Sequence, residues 1–263
     1  MRNVFQESQQ SNLKKSLLDR SVIWAGNQFF RYRNAIFPVI FALALLLLRP
    51  RVILANPRLD HWLVVCGTTV VLVAESFRLM TIGFDYISRG GNFGQISASF
   101  LVQKGVYGLT RNPMYFGNMF IAIGMVMVAG SPFMYGLLLP FFMFVYWSMV
   151  RAEEAYLLQR FGSEYAQYCA RVNRFVPSLC GAQSAFAGMR FNWGRAFRKE
   201  LSTLAWLLAA LILLPVWRVY WLQGWIATKA AAPRALILTS CDLFLYGFFH
   251  HLKARRQFFY SQD

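Results

Sequence analysis

Arg111-Asn112-Pro113-Met114-Tyr115-Phe116-Gly117, then an apolar span, then Glu153-Glu154, is the stretch whose reading decides the fold. Asn112 suits a helix cap, and Pro113 suits a first helical position, where a missing N–H costs nothing. Met114 to Ala129 is almost entirely apolar, Gly130-Ser131-Pro132 makes a tight break, and a second apolar run continues to Val150. So short a connection makes the two helices antiparallel neighbours. At 1.5 Å per residue each is roughly 25–30 Å long, close to the thickness of a bilayer's hydrocarbon core. The hairpin therefore returns Glu153 to the level of Arg111, and polar residues meet there above apolar walls.

Composition agrees with a membrane setting. Of 263 residues 57% are hydrophobic and 14% charged, and the apolar residues fall in long runs. That profile predicts an all-α, polytopic helix bundle of about six transmembrane helices. No cleavable signal peptide is expected, because the first apolar run begins only after about thirty polar residues. Cys66, Cys169, Cys180 and Cys241 show no C-x-x-C spacing, and His61, His250 and His251 are scattered, so neither a disulfide framework nor a metal site is expected.

The net charge of +16 raises the question of nucleic acid, but the Lys and Arg flank the apolar runs. That is the positive-inside pattern, and anionic lipid headgroups are the expected partners instead. Residues 1–33 read as a basic cytoplasmic or interfacial arm. A core follows over 34–182, and a C-terminal extension with two further apolar spans over 183–263. Spans are expected at about 34–48, 61–82, 113–129, 133–150, 201–217 and 235–249. With the N-terminus inside, twenty Lys/Arg lie on the cytoplasmic side and six outside. The segments 83–112 and 151–200 then share the cytoplasmic side.

Within the second span Glu75 and Arg78 stand three residues apart and are expected to pair on one helix face. Residues 83–110 are rich in glycine (Gly83, Gly90, Gly91, Gly94, Gly105, Gly108), which suits a loop whose backbone approaches a ligand. No strand precedes Gly90-Gly91, so a dinucleotide fingerprint is excluded. Gly117 and Gly124, seven apart, share a face and permit close helix packing. The aromatic run Phe141, Phe142, Phe144, Tyr146, Trp147 reads as lipid-facing and core surface.

The Arg-Asn-Pro-x-Tyr-x-Gly start, the apolar hairpin and Glu-Glu resemble the isoprenylcysteine carboxyl methyltransferase family and its phospholipid-methyltransferase relatives. Leu101-Val102, Gly105-Val106-Tyr107, Phe161-Gly162, Tyr165, Tyr168 and Arg174-Phe175-Val176-Pro177 extend the likeness over residues 101–177. Asn112 departs from the family signature, which commonly has His there; Asn keeps hydrogen bonding but cannot titrate. The resemblance implies S-adenosylmethionine as methyl donor and a lipophilic acceptor, either a small lipid or a lipid-modified substrate. It implies a cofactor site at the cytoplasmic side that includes Leu101, Val102, Tyr107, Asn112, Pro113, Met114, Tyr115, Glu153 and Glu154, with Arg111 as the catalytic candidate.

The residues themselves assign some roles and leave others open. Neighbours on a helix point about 100° apart, so Glu153 and Glu154 cannot face the same way. Glu153 shares an inward stripe with Tyr146, Met149, Val150 and Leu157 and is favoured for the cofactor. Glu154, three residues after Arg151, is expected to pair with it. Arg111 is a snorkelling anchor or a clamp for an anionic group. Asn112 is a cap, a ligand, or both. Arg174 is a solvated charge or a guide for an acidic substrate. A membrane lipid or sterol reductase using NADPH is the alternative enzyme, although no compact Arg/Lys cluster offers a 2′-phosphate site. A scaffold or transporter is the non-enzymatic alternative, and its site would be expected near the midplane.

The charge asymmetry generates a direct test. A cysteine placed at position 90 is expected to escape an impermeant thiol reagent in intact cells and to react after permeabilisation; labelling without permeabilisation would invert the orientation.

Overall fold

The computed structural model describes residues 2–52, 56–84, 96 and 98–254, with side chains from Leu18 to Lys253 within those ranges. Gly90, Gly91, Gly94, Arg255 and Arg256 lie outside the described residues. The described chain forms α1 (Arg2–Leu47), α2 (Pro57–Phe84), a 3-10 turn (Gly105–Gly108), α3 (Pro113–Ala129), a π-helical turn (Met134–Leu138), α4 (Leu139–Arg171), α5 (Ala182–Ala185) and α6 (Trp193–Ala254). The fold is all-α. Four helical stretches are long and apolar enough to cross a membrane, and α3 is a shorter apolar helix. α6 breaks at Gly224, whose φ of 82° and ψ of −176° lie outside the helical region and favour glycine. Its second half turns back along the first, so that Lys253 donates to the Arg198 carbonyl and Tyr246 reaches Ser202. Six apolar rods result, as the composition predicts.

Three element boundaries differ from those expected. The basic arm and the first span are one continuous helix, because nothing between Trp24 and Asn34 breaks it and Pro38 is accommodated inside. α4 runs past the apolar stretch to Arg171, kinking at Gly162, where φ is 53° and ψ −122°. The last helix begins at Trp193, two turns before its apolar run. In each case, helical hydrogen bonding extends beyond the apolar stretch that made the helix legible.

Gly130 ends α3 in the left-handed conformation, as a helix C-cap glycine does. α3 packs chiefly on α2, while α1 packs on α4. The α2–α3 contact is close because Gly67 and Gly124 face one another: a Cβ on Gly124 would sit 2.6 Å from the Gly67 carbonyl oxygen, and one on Gly67 2.7 Å from that of Gly124. Gly117 continues the same face against the Arg78 side chain. Val71, Val126, Val128, Ala129, Met134 and Leu138 fill the interior beside this seam. The outer faces stay apolar, with Ile226 86% and Phe244 73% exposed, as surfaces that meet acyl chains require.

The first half of α6 is pinned to the core at both ends by arginine ion pairs. Arg218 bonds Asp60 of α2 at 2.5 Å and donates to the Val128 carbonyl at 3.0 Å. At the other end Glu200 bonds Arg78. The C-terminal helix thus contributes buried polar partners to α2 and α3.

The glycine seam predicts a stability difference between two alanine variants. Gly124→Ala should destabilise by about 1–3 kcal/mol, since backbone must move to admit the methyl group. Gly136→Ala, whose Cβ meets nothing within 4 Å, should be neutral or slightly stabilising. Thermal melting in detergent checks both.

Candidate functional site

The entry to α3 is set by a backbone ladder. The Arg111 amide donates to the Asn173 carbonyl at 2.9 Å, the Ser178 amide to Leu109 at 2.9 Å, and the Thr110 hydroxyl to the Phe175 carbonyl at 2.8 Å. These bonds tie 109–111 to 173–178 and place Pro113 at the first helical turn. Asn112 occupies the capping position, but its side chain makes no cap bond. Its amide instead donates to Arg174 O at 3.1 Å and Glu154 Oε1 at 3.3 Å. The cap expectation is corrected on that point: the Asn112 side chain is turned so that its NH2 group meets the Glu154 carboxylate and the Arg174 carbonyl.

Glu154 is the centre of an ion cluster. Arg174 reaches it through Nη2 at 2.9 Å and Nε at 3.1 Å, and Arg111 through Nη2 at 3.4 Å. The expected Arg151 pairing is not made, because Arg151 bonds Asp19 of α1 at 2.7 Å. Arg174 is accordingly not a freely solvated charge; it is a partly exposed partner of Glu154. Arg111 is mostly buried, so it is not a snorkelling anchor. Burial opposes the Arg111 charge, yet Glu154 and the nearby Cys169 and Tyr165 outweigh that effect and hold its pKa above the ordinary arginine value.

Glu153 points elsewhere. It lies between two cavities and lines both. The larger, about 470 Å³, is walled by Met114 and Tyr115 of α3, Tyr146 and Met149 of α4, and Arg78 of α2. The smaller, about 20 Å³, is walled by Leu101, Val102, Tyr107 and Arg111, and is covered by Tyr165 and Tyr168 beyond the Gly162 kink. The Tyr168 hydroxyl donates to the Tyr107 carbonyl at 2.7 Å, closing that side. The candidate residues therefore divide. Leu101, Val102, Tyr107, Arg111, Met114, Tyr115 and Glu153 face space, whereas Asn112, Pro113, Glu154 and Arg174 line neither cavity.

Other cavity residues were not singled out by the sequence as ligands. Phe30, Arg33, Asn34 and Phe37 come from α1, Asn118 from α3 and Thr203 from α6. The charges of α2 were a visible signal. Glu75 and Arg78 do pair, at 3.1 Å, and Glu200 of α6 adds contacts of 2.7 and 2.9 Å to the same guanidinium, with Asn118 as a further partner. No spacing in the chain links Glu200 to Arg78. A third cavity, about 310 Å³, shares Phe37, Arg78, Asn118, Tyr146 and Thr203 with the large one. It continues along Met125, Val126, Phe142 and Leu207, where the lining is apolar. Among the described residues no group of three potential metal ligands occurs, and the four cysteines are unpaired.

These features define a helical membrane protein with a polar cavity at one end of the bundle, opening into an apolar slot. The sequence model of the phospholipid methyltransferase family matches residues 60–164, and that segment is similar to phospholipid methyltransferases. The match takes in all but the first turn of α2, further upstream than the 101–177 likeness, and stops short of Arg174. A protein-S-isoprenylcysteine O-methyltransferase of Saccharomyces cerevisiae is 37% identical over 83 residues, 30% of this chain and 33% of the yeast protein. Proteins of the same name from Tribolium castaneum and Schizosaccharomyces pombe are 29% identical over 131 residues and 34% over 100, covering 46% and 35% of this chain. The matched segments span 44% and 42% of those two relatives, so less than half of any of the three is represented. No solved structure matches the chain.

The ion cluster predicts which acidic residue the fold depends on. Glu154→Gln leaves two arginines facing a neutral amide and should cost about 1–3 kcal/mol in a detergent melt. Arg151→Gln removes only its partly exposed pair with Asp19 and should cost no more than about 1 kcal/mol.

Proposed function

We propose that this protein transfers a methyl group from S-adenosylmethionine to a lipophilic acceptor drawn from the bilayer, at the cytoplasmic face. The observation that carries the reading is the position of Glu153, buried and shared by two cavities, the larger of which adjoins an apolar slot. A cavity of about 470 Å³ falls in the usual range for small-molecule and cofactor sites. When bound, S-adenosylmethionine supplies a methyl group on an already activated sulfonium.

The residues present fit such a donor. Glu153 offers a carboxylate that can accept from hydroxyl or ammonium groups. Leu101, Val102, Tyr107 and Arg111 line the small cavity and Met114 and Tyr115 the large one, with Glu153 common to both. Arg111 positions the Glu154 cluster at the edge of this space, and Asn112 with Pro113 fixes the helix start behind it. Asn112 is not asked to carry a proton. The work left to the protein is to hold acceptor and donor in line and to keep water out.

The apolar slot supports the lipophilic acceptor. Phe37, Phe142, Val126 and Leu207 suit an acyl or prenyl chain, and the slot joins the polar cavity at Arg78 and Tyr146. The relatives' names specify an isoprenylcysteine, a head of that kind on a chain of that kind. The Lys/Arg asymmetry supports the cytoplasmic side, where the donor is made available.

Calorimetric titration with S-adenosylmethionine tests the assignment. Glu153→Gln should weaken donor binding by at least about tenfold, the loss expected for a hydrogen bond to a charged group. Glu154→Gln should lower the melting temperature and reduce affinity less. Equal losses of affinity, or a larger loss at 154, would move the cofactor away from Glu153. Transfer of labelled methyl into a lipid and protein extract identifies the acceptor.

A further inference from the structure

The break at Gly224 folds α6 back on itself, and a groove of about 500 Å³ runs between its two halves. Phe197, Leu201, Leu204 and Leu208 recur at helical spacing along one face of the first half, and Leu245 and Phe249 line the groove from the second. The groove is open to the bilayer, with Leu208 39% and Leu245 52% exposed. Glu200, Thr203 and Leu207 each precede one of these leucines and point about 100° away from it. They reach Arg78, the polar cavity and the apolar slot. The first half of α6 therefore has one face on the cavities and another on the groove.

One end of the groove is basic. Arg198 and Lys253 line it, and the Lys253 ammonium donates to the Arg198 carbonyl at 3.1 Å, which holds the two residues at one level. An ammonium has three N–H groups, so this bond leaves others for a further acceptor. Trp193, 67% exposed, stacks on Phe197 at the same end. That placement suits a tryptophan at the membrane–water interface. Asp242 is the acid of the groove. It lies three turns before Lys253 on the same helix, roughly 16 Å deeper at 1.5 Å per residue, and so does not neutralise the basic end.

We infer that this groove binds an anionic phospholipid, with the phosphodiester head at Arg198 and Lys253 and an acyl chain along the leucine stripe. In any bilayer some acyl chain fills the groove, because lipid tails are as apolar as its leucines. The basic end is what makes the choice of lipid specific: phosphate oxygens accept from the guanidinium and the ammonium, and basic pockets between membrane helices hold acidic headgroups in this way. A zwitterionic lipid brings its own cation to the same two residues and is disfavoured. The groove lies outside the residues 60–164 that match the family model, and the inference does not rest on the methyl-transfer reading. Its consequence reaches the cavities all the same. A lipid that ties the second half of α6 to the first steadies the helix that holds Glu200 against Arg78.

Native mass spectrometry of the full-length protein in detergent, titrated with phosphatidylglycerol or with phosphatidylcholine of the same chains, tests the inference. The parental protein should bind phosphatidylglycerol at least about tenfold tighter, the discrimination that two basic residues at a headgroup provide. Phosphatidylglycerol should also raise its melting temperature. Arg198→Gln with Lys253→Gln should abolish the preference, whereas Arg198→Lys with Lys253→Arg keeps both charges and should keep most of it. Leu208→Trp, which fills the groove, should weaken binding of both lipids. Asp242→Asn should leave the preference as it is. Equal binding of the two lipids by the parental protein would overturn the inference, as would a preference that survives in the folded double glutamine variant. Undiminished binding by Leu208→Trp would reduce the effect to surface charge and overturn the groove assignment. A dimer that forms in place of the lipid complex would give this face to a second copy instead. Neither donor binding nor methyl transfer enters these measurements, so they report on the groove whatever the outcome at Glu153.

Discussion

An arginine near the end of a membrane-embedded helix must satisfy a charge and several N–H groups where water is scarce, and the arrangement around Arg78 follows from that requirement. Glu75 comes from its own helix, Asn118 from α3 and Glu200 from α6. Each partner taken singly would leave a charge uncompensated, at a cost of several kcal/mol in such a setting. Together they bind three helices at the level of the cavity. Gly117 is required here as well, since a Cβ on it would meet the aliphatic part of Arg78 at 2.5 Å. The Arg218–Asp60 pair does the same at the opposite end, so α6 cannot shift along the bundle without breaking one of the two.

The second organising contrast is between adjacent acids. Glu154 is enclosed by Arg111, Arg174 and Asn112, and its negative charge is spent on holding the 109–112 segment against 173–178. Glu153, one position earlier and about 100° around the helix, looks into the cavities. A double-acid motif in this place thus divides its work: one carboxylate builds the wall and the other lines the cavities. The same division gives Asn112 a structural task, at a position where the signature that the chain resembles commonly has His. Its observed contacts require a hydrogen-bond donor, which either side chain supplies, and they require no titration.

A methyltransferase working on a membrane lipid has to join a water-borne donor to an acceptor whose chain stays in the bilayer. On the proposed reading, the continuity of the polar cavity with the apolar slot, through Phe37, Arg78, Asn118, Tyr146 and Thr203, would supply that meeting place. Three of the helices that build it, α1, α4 and α6, extend beyond the family match or lie outside it.

The sequence by itself determined the all-α membrane class, the α3–α4 turn at Gly130, the Glu75–Arg78 pair and the inward direction of Glu153. Each of these depends on residues within a turn or two of one another, or on a hydrophobic period that short-range geometry imposes. Only the tertiary structure decided that Arg151 turns to Asp19, that Asn112 and Arg174 both serve Glu154, and that Glu200 completes the Arg78 site. Those partners are 132, 42, 20 and 122 positions apart in the chain. Local propensity cannot rank one distant carboxylate above another; the choice is made by how the helices pack, because a buried guanidinium takes whichever acid the packing brings within reach.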